Sequence, residues 1–99
     1  MKFETEATDT FKKQFDKLPE KYKKQIERKT ELIEKNPFRF KPLHSKLYSK
    51  VFRVRLNIEG KETRLIYVVT GSKIILVCLL DRSKDYKDLE NYLSKLQNE

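Results

Sequence analysis

The sequence predicts an α+β fold in one domain over residues 1–99: an N-terminal strand, an α-helical hairpin, a three-stranded antiparallel meander and a C-terminal helix. Three observations predict this order. Apolar residues recur twice at helical spacing in the first third of the chain, three apolar runs with short turns fill residues 51–80, and helical spacing returns after residue 83. A chain of 99 residues that is 37% hydrophobic can build one modest core.

The first third of the chain predicts a short strand and two helices. "KFET" alternates as a strand does, and Thr5 is a suitable N-cap for the helix that follows. Pro19 ends this first helix and begins the second, which stops before Pro37 because proline disfavours helix at the preceding residue. Two helices joined so closely form an antiparallel hairpin. The apolar stripe of the first helix is Ala7, Phe11, Phe15 and Leu18.

The rest of the chain predicts a basic loop, three strands and a last helix. The loop covers residues 37–50, and the first strand covers residues 51–58. "TRLIYVV" and "KIILVCLL" form the next two strands, after the turns "EGKE" and "TGS", so the strands make an antiparallel meander. Ser83 caps the last helix, and we expect all the helices to pack on one sheet face and leave the other open.

The composition excludes several classes of protein. One cysteine, Cys78, and one histidine cannot form a disulfide framework or a Cys/His zinc site, and Cys78 suits a small core residue. No run of eighteen apolar residues is present, and the N-terminus lacks the hydrophobic segment of a secretory signal. We therefore expect a cytoplasmic protein with no membrane association that works without a cofactor or metal.

The positive charge is concentrated in the middle of the chain. The net charge is +8, and residues 37–82 hold ten basic and three acidic side chains, a balance of +7. The remaining segments, 1–36 and 83–99, are close to balanced. Because a cation-rich segment attracts a polyanion, nucleic acid is a better explanation of this excess than solubility alone.

The stretch "VFRVRLN" places two arginines side by side on one strand face. Alternation puts Arg53 and Arg55 opposite the apolar side chains of the same strand. Antiparallel pairing brings Arg64 of the next strand close to Arg55, while Arg82 and Tyr86 follow the end of the third strand. We therefore expect four arginines and a tyrosine to converge on the exposed, concave sheet face. The apolar face of the first strand is Phe52, Val54, Leu56 and Ile58.

Three segments carry a resemblance to a known family. "PLHSKLYSKVFRVRL", "TRLIYVV" and "DRSKDY", in this order after a strand and a helical hairpin, resemble the RelE/ParE superfamily of type II toxins over essentially the whole chain. "DRSKDY" is similar to the family's His-Arg-Ser/Lys-Asp-x-Tyr ending, with Asp81 where histidine is usual. The resemblance implies a RelE-like fold and a toxin that inhibits translation by cleaving mRNA in the ribosomal A site. It also implies a small, acidic, RelB-like antitoxin as partner.

The resemblance also implies the residues of the site. Carried over by motif position, the catalytic residues are Arg53, Arg55, Arg64, Arg82 and Tyr86. Metal-independent cleavage proceeds by attack of the ribose 2′-hydroxyl on the adjacent phosphorus. Arginine suits stabilisation of the phosphorane, because its planar fork matches phosphate oxygens and keeps its charge.

Several alternatives stay open at this stage. Since arginine is a poor general base, the candidates are Tyr86, Asp81 and His44, or the ribosome supplies most of the catalysis by positioning the RNA. A ParE-like toxin would share the fold and inhibit DNA gyrase instead. A basic module that binds RNA or ribosomes without catalysis is a further possibility. We expect an acidic, partly helical antitoxin segment on the helical hairpin and the sheet edge.

Overall fold

The computed structural model describes residues 3–81 and 86–97, and in the second range the side chains of residues 88–96. The predicted α+β order is confirmed, with one further short strand inside the predicted basic loop. The elements are β1 (Glu4–Ala7), α1 (Asp9–Asp16), α2 (Glu20–Lys35), β2 (Lys41–Leu43), β3 (Val51–Ile58), β4 (Lys61–Thr70), β5 (Lys73–Asp81) and α3 (Tyr86–Gln97).

The strands form one sheet in the order β1-β5-β4-β3-β2. The predicted meander is confirmed as β3, β4 and β5, and β1 adds to its edge in parallel with β5. The extra strand β2 pairs antiparallel with β3, with Lys41 opposite Arg53. The sequence did not predict β2 because three residues are too few to show a periodicity. In addition, proline, here Pro42, is unfavourable in most strands. Proline is tolerated there because β2 is an edge strand.

The first helix begins three residues later than the sequence predicted. Thr8 is the N-cap, and its hydroxyl accepts a hydrogen bond from the Phe11 N–H at 3.0 Å. The predicted cap, Thr5, lies inside β1, and its hydroxyl donates to the Glu34 carboxylate at 2.6 Å. The pairing of β1 with β5 keeps the chain extended through Ala7, so tertiary structure overrides the local capping signal.

Helices cover both faces of the sheet, which corrects the expectation of one open face. The hairpin α1–α2 packs Phe11, Ile26 and Ile33 on the face that carries Phe52. On the opposite face, α3 buries Leu89 and Leu93 against the second core cluster. This arrangement follows from β5, because a strand that is apolar at nearly every position needs cover on both sides. The sheet members of the second cluster are Val51, Ile66, Val68, Val77, Cys78 and Leu80.

Side chains of α1 and of its N-cap bind the β5 backbone where β1 ends. The Thr8 hydroxyl donates to the Val77 carbonyl at 2.6 Å. Further along, the Gln14 amide donates to the Leu79 carbonyl at 2.9 Å and accepts from the Leu79 N–H at 2.7 Å. Buried backbone groups need such partners, so α1 replaces the missing neighbour strand.

The connection between α2 and β2 is held by a buried tyrosine. Tyr67 is fully buried on β4, and its hydroxyl donates to the Pro37 carbonyl at 2.5 Å. Burial raises the pKa of Tyr67, which therefore stays neutral. The Phe40 ring packs edge-on against Tyr67 with ring centroids 6.4 Å apart. These contacts anchor the backbone that carries Arg39 and Lys41.

Candidate nucleic-acid interface

The strand register brings two of the predicted arginines face to face. Arg55 on β3 lies directly opposite Arg64 on β4, and Arg53 lies opposite Ile66. Directly opposed residues in an antiparallel pair have Cβ atoms about 5 Å apart, so Arg55 and Arg64 are immediate neighbours. Like charges placed directly opposite each other in a strand pair are unfavourable, so this pairing calls for a nearby anion.

The three arginines differ in their contact with solvent. The Arg55 side chain is 67% exposed and forms a surface ion pair with Glu62 at 3.6 Å, a contact of little energetic weight. Arg64 is half-buried, and its Nε is shielded from solvent. Arg53 is only 8% exposed. The arginines therefore do not form the uniformly exposed cluster that alternation alone predicts.

A cationic cavity of about 500 Å³ lies at the sheet edge where β2 begins. We call it the edge cavity. Its lining contains five cationic side chains and no carboxylate. Arg53 and Arg55 enter from β3, and the other three cations come from α2, from the α2–β2 connection and from β2. The lining residues are Lys29, Arg39, Phe40, Lys41, Arg53, Val54 and Arg55.

Arg53 is the most unusual group in the edge cavity. Within residues 3–81 and the described part of α3, its side chain forms no hydrogen bond and no ion pair. Its nitrogens are not among the described side-chain atoms that are fully shielded from solvent, so the guanidinium meets water through the cavity. A cation with so little solvent contact and no counter-charge is unusual, because proteins usually pair such a group. A buried arginine that lines an acid-free cavity is thus a strong attractor for an external anion.

Three cations of the edge cavity were missed by sequence reasoning. Arg39 and Lys41 belong to the segment predicted as a basic loop, but their position depends on the unforeseen strand β2. Lys29 lies on a helix among many lysines, and no local signal separates it from the solvated ones. The middle-segment charge balance of +7 was the signal that pointed to this region.

The remaining predicted site residues are placed less completely. Arg82 lies outside the described residues, as does the predicted cap Ser83. Tyr86 begins α3, and its side chain lies outside the described part. Asp81 ends β5, where alternation after Leu79 and Leu80 puts it on the hairpin side of the sheet, away from Arg64. His44 is exposed between β2 and β3.

Other potentially reactive groups are held inactive by burial. Burial raises the pKa of the Cys78 thiol to about 12, so this thiol is protonated at neutral pH. Burial is also the main cause of the raised pKa of Tyr92, and the nearby Asp88 carboxylate makes a smaller contribution. Among the described side chains, no three His, Cys, Asp or Glu groups gather as a metal site requires. The described helices include none that is long and apolar enough to cross a membrane.

A second cavity, of about 440 Å³, lies between the two helices of the hairpin. Its floor is apolar and includes Phe11, Phe15 and Ile26. Its rim has the opposite charge to the edge cavity, with four carboxylates and one lysine. The rim residues are Lys12, Asp16, Glu27, Glu31 and Glu34.

The architecture defines the class of protein. A sheet with a parallel N-terminal edge strand, a helical hairpin on one face and a C-terminal helix on the other is a RelE-like α+β domain. The structure of a double arginine-to-alanine mutant of the E. coli toxin RelE, in the free state, is similar, with a TM-score of 0.75 and 14% sequence identity. The match covers 97% of this chain and 98% of that chain. At this identity the similarity concerns the fold alone.

The sequence family is also identified. Residues 1–86 match the family described as the ParE toxin of the type II toxin-antitoxin system, parDE. The chain therefore belongs to this toxin family, within the RelE/ParE superfamily that the sequence motifs predicted. Membership implies an antitoxin partner. No curated protein matches the chain significantly.

Proposed function

We propose that this toxin is a ribosome-dependent, metal-independent mRNA endoribonuclease that cleaves by attack of the ribose 2′-hydroxyl. The observation that carries the proposal is Arg53, a buried cation that lines an acid-free cavity beside Arg55. A phosphodiester backbone supplies the negative charge that this cavity lacks. Arginine also binds phosphate oxygens in a bidentate manner.

Arg55 and Arg64 are suited to the reacting phosphate. Their direct opposition across β3 and β4 allows both guanidinium groups to reach one phosphate from adjacent positions. In the transition state the phosphorane gains negative charge, and fixed donors near a partly dry surface stabilise that charge most strongly. Removing one such donor typically lowers the rate by a factor of about 100 to 1,000.

We propose Tyr86 as the general base among the three candidates. Asp81 lies toward the hairpin side, and His44 is an exposed loop residue beyond β2. Tyr86, at the start of α3, is the remaining candidate of the three proposed from the sequence. In-line positioning of the RNA by the ribosome would supply a further large part of the acceleration.

Inhibition of DNA gyrase is the second candidate function. The specific observation in its favour is the match of residues 1–86 to the ParE toxin family. A gyrase inhibitor needs no phosphate-binding arginines at a reacting centre. The two candidates therefore differ in what happens when Arg64 is removed. A non-catalytic RNA-binding module differs again, because its loss of function would be a loss of affinity that depends on salt.

The antitoxin would be acidic and RelB-like, and it would act with the toxin in the cytoplasm. Its acidic part complements residues 37–82, where ten basic side chains oppose three acidic ones. The hairpin cavity is a poor site for an acidic segment, because four carboxylates stand on its rim. We therefore propose that the acidic segment packs at the sheet edge rather than on the hairpin.

Induction in cells followed by mapping of transcript ends tests the proposal. The wild-type chain should cut mRNA within translated codons, and Arg64→Ala should abolish the cuts while the thermal unfolding transition remains. Arg28→Ala is the matched control, since Arg28 is exposed on α2 and lies outside the edge cavity. Growth arrest with intact transcripts and stalled gyrase would overturn the nuclease in favour of the second candidate. Loss of RNA affinity in Arg64→Ala, with no cleavage by the wild type, would favour the binding module.

A further inference from the structure

The edge cavity is lined by three cations besides Arg53 and Arg55. Building on the proposed function, we infer that Lys29, Arg39 and Lys41 form a second phosphate site, which holds a backbone phosphate of the RNA other than the one that reacts. This site would fix the direction in which the single strand crosses the sheet edge. The chemical class of the ligand is a phosphodiester within single-stranded RNA.

The three cations stand on an anchored backbone. Arg39 and Lys41 flank Phe40, whose ring is fixed edge-on against the buried Tyr67 at 6.4 Å. The Arg39 N–H donates to the Asn36 carbonyl at 3.3 Å, and the Arg39 guanidinium lies 5.6 Å from the centre of the Phe40 ring. Lys41 is held opposite Arg53 by the β2–β3 pairing. Preorganised donors bind an anion without a large ordering cost.

The geometry separates this site from the reacting phosphate. Lys41 lies two strands away from Arg64 and is offset by two residues along β3. Strand spacings of about 4.8 Å and rises of about 3.3 Å per residue put the two Cα atoms about 12 Å apart. Arg53 and Arg55 lie between them. The arrangement therefore suits two phosphates of one strand, with the buried Arg53 between the two positions.

The lining favours RNA over an acidic peptide. Phe40 contributes an aromatic ring beside the cations, and single-stranded RNA is commonly bound by such a combination of stacking surface and positive charge. The cavity is also concave and about 500 Å³ in volume, which fits a nucleotide better than the broad side of an acidic helix. We therefore assign RNA as the occupant and treat an acidic protein as the competing outcome.

A triple variant, Lys29→Ala/Arg39→Ala/Lys41→Ala, tests the inference. The control triple, Lys13→Ala/Lys24→Ala/Arg28→Ala, removes the same charge from exposed helix positions outside the cavity. The probe is a fluorescent RNA oligonucleotide with 2′-deoxy sugars at the cleavable positions, and binding is measured by anisotropy over a salt series. Each lost contact lowers the slope of log K against log salt by about 0.7.

We expect the edge triple to lose about two units of this slope and at least tenfold in affinity, while the control keeps both. In cleavage assays the edge triple should raise KM and keep kcat, whereas Arg64→Ala should lower kcat.

If mRNA is cut and the edge triple behaves like the control, the second site is overturned and the nuclease stands. If the wild-type protein cuts no mRNA but the edge triple still loses salt slope in RNA binding, the phosphate site stands and the nuclease is overturned. If only binding of an acidic antitoxin is weakened, the occupant is a protein and the inference is wrong.

Discussion

The position of Arg53 lowers the stability of the free protein, and the same position suits the proposed binding of an anion. Its side chain is 8% exposed, and within the described part of the chain no carboxylate or carbonyl compensates its charge. Residues kept for function often lower stability in this way. The sign of its contribution to folding is therefore opposite to that of an ordinary buried side chain.

Arg53→Met should stabilise the free toxin and weaken RNA binding. Methionine keeps the aliphatic stem of arginine and removes a charge that has little contact with water and no counter-charge among the described residues, so we expect the free energy of unfolding to rise by about 1 kcal/mol. Denaturant unfolding measures this change, and the anisotropy assay measures the loss of affinity. Arg55→Met is the control, because the Arg55 side chain is 67% exposed and its stability effect should be close to zero. A clear loss of stability in Arg53→Met would show that the charge is compensated in the free protein.

The faces of the β3 residues could be predicted, but their burial could not. Alternation in "VFRVRLN" put Arg53 and Arg55 on one face, and the "EGKE" turn set Arg64 close to Arg55. Burial of Arg53 depends in part on β2, whose Lys41 pairs with it, and no local pattern around residue 53 indicates that strand. The same reason explains why Lys29 and Arg39 were missed, since each joins the cavity only through tertiary packing.

At the scale of elements, α1 acts as a substitute for a strand. Gln14 makes two hydrogen bonds to the backbone of Leu79, beyond the end of β1. Gln14→Ala leaves a part-buried N–H and carbonyl without these partners, and we expect it to destabilise the protein by about 2 kcal/mol. Gln25→Ala on α2 is the control and should change stability by less than about 0.5 kcal/mol. Equal effects of the two variants in urea unfolding would mean that water replaces the Gln14 amide at no cost.

Elements that depend on local periodicity were predicted, and those that depend on distant partners were not. The stripe through Phe11 and the prolines at 19 and 37 defined both helices of the hairpin. The helix start moved from Thr5 to Thr8 because β1 pairs with β5, which is distant in sequence. The position of α3 was predicted wrongly, although the continuous apolar run of β5 already required cover on a second face.

At the scale of the whole molecule, charge is distributed unevenly. The edge cavity has five cations and no carboxylate, whereas the rim of the hairpin cavity has four carboxylates and one lysine. Because the total charge is +8, this separation gives the toxin one strongly positive side and a locally negative groove. Partners of opposite charge would thus approach different sides of the same small domain.

Under the proposed function, this charge distribution would couple RNA binding to the stability of the fold. The cations of the edge cavity repel one another in the free protein, and an anion that binds there stabilises only the folded state. A non-cleavable RNA oligonucleotide at a hundred times its Kd should add about 2.7 kcal/mol to the free energy of unfolding. For a domain of this size, such a gain raises Tm by about 10–20 °C.

Thermal unfolding with the oligonucleotide and with sodium chloride at the same ionic strength separates site binding from general screening. We expect a large rise in Tm with RNA, a small one with chloride, and a much reduced RNA effect in the Lys29→Ala/Arg39→Ala/Lys41→Ala variant. The triple with exposed substitutions should respond to RNA as the wild type does. An equal rise in Tm with RNA and with chloride would show that the cations act only through general screening. The edge cavity would then not be a binding site.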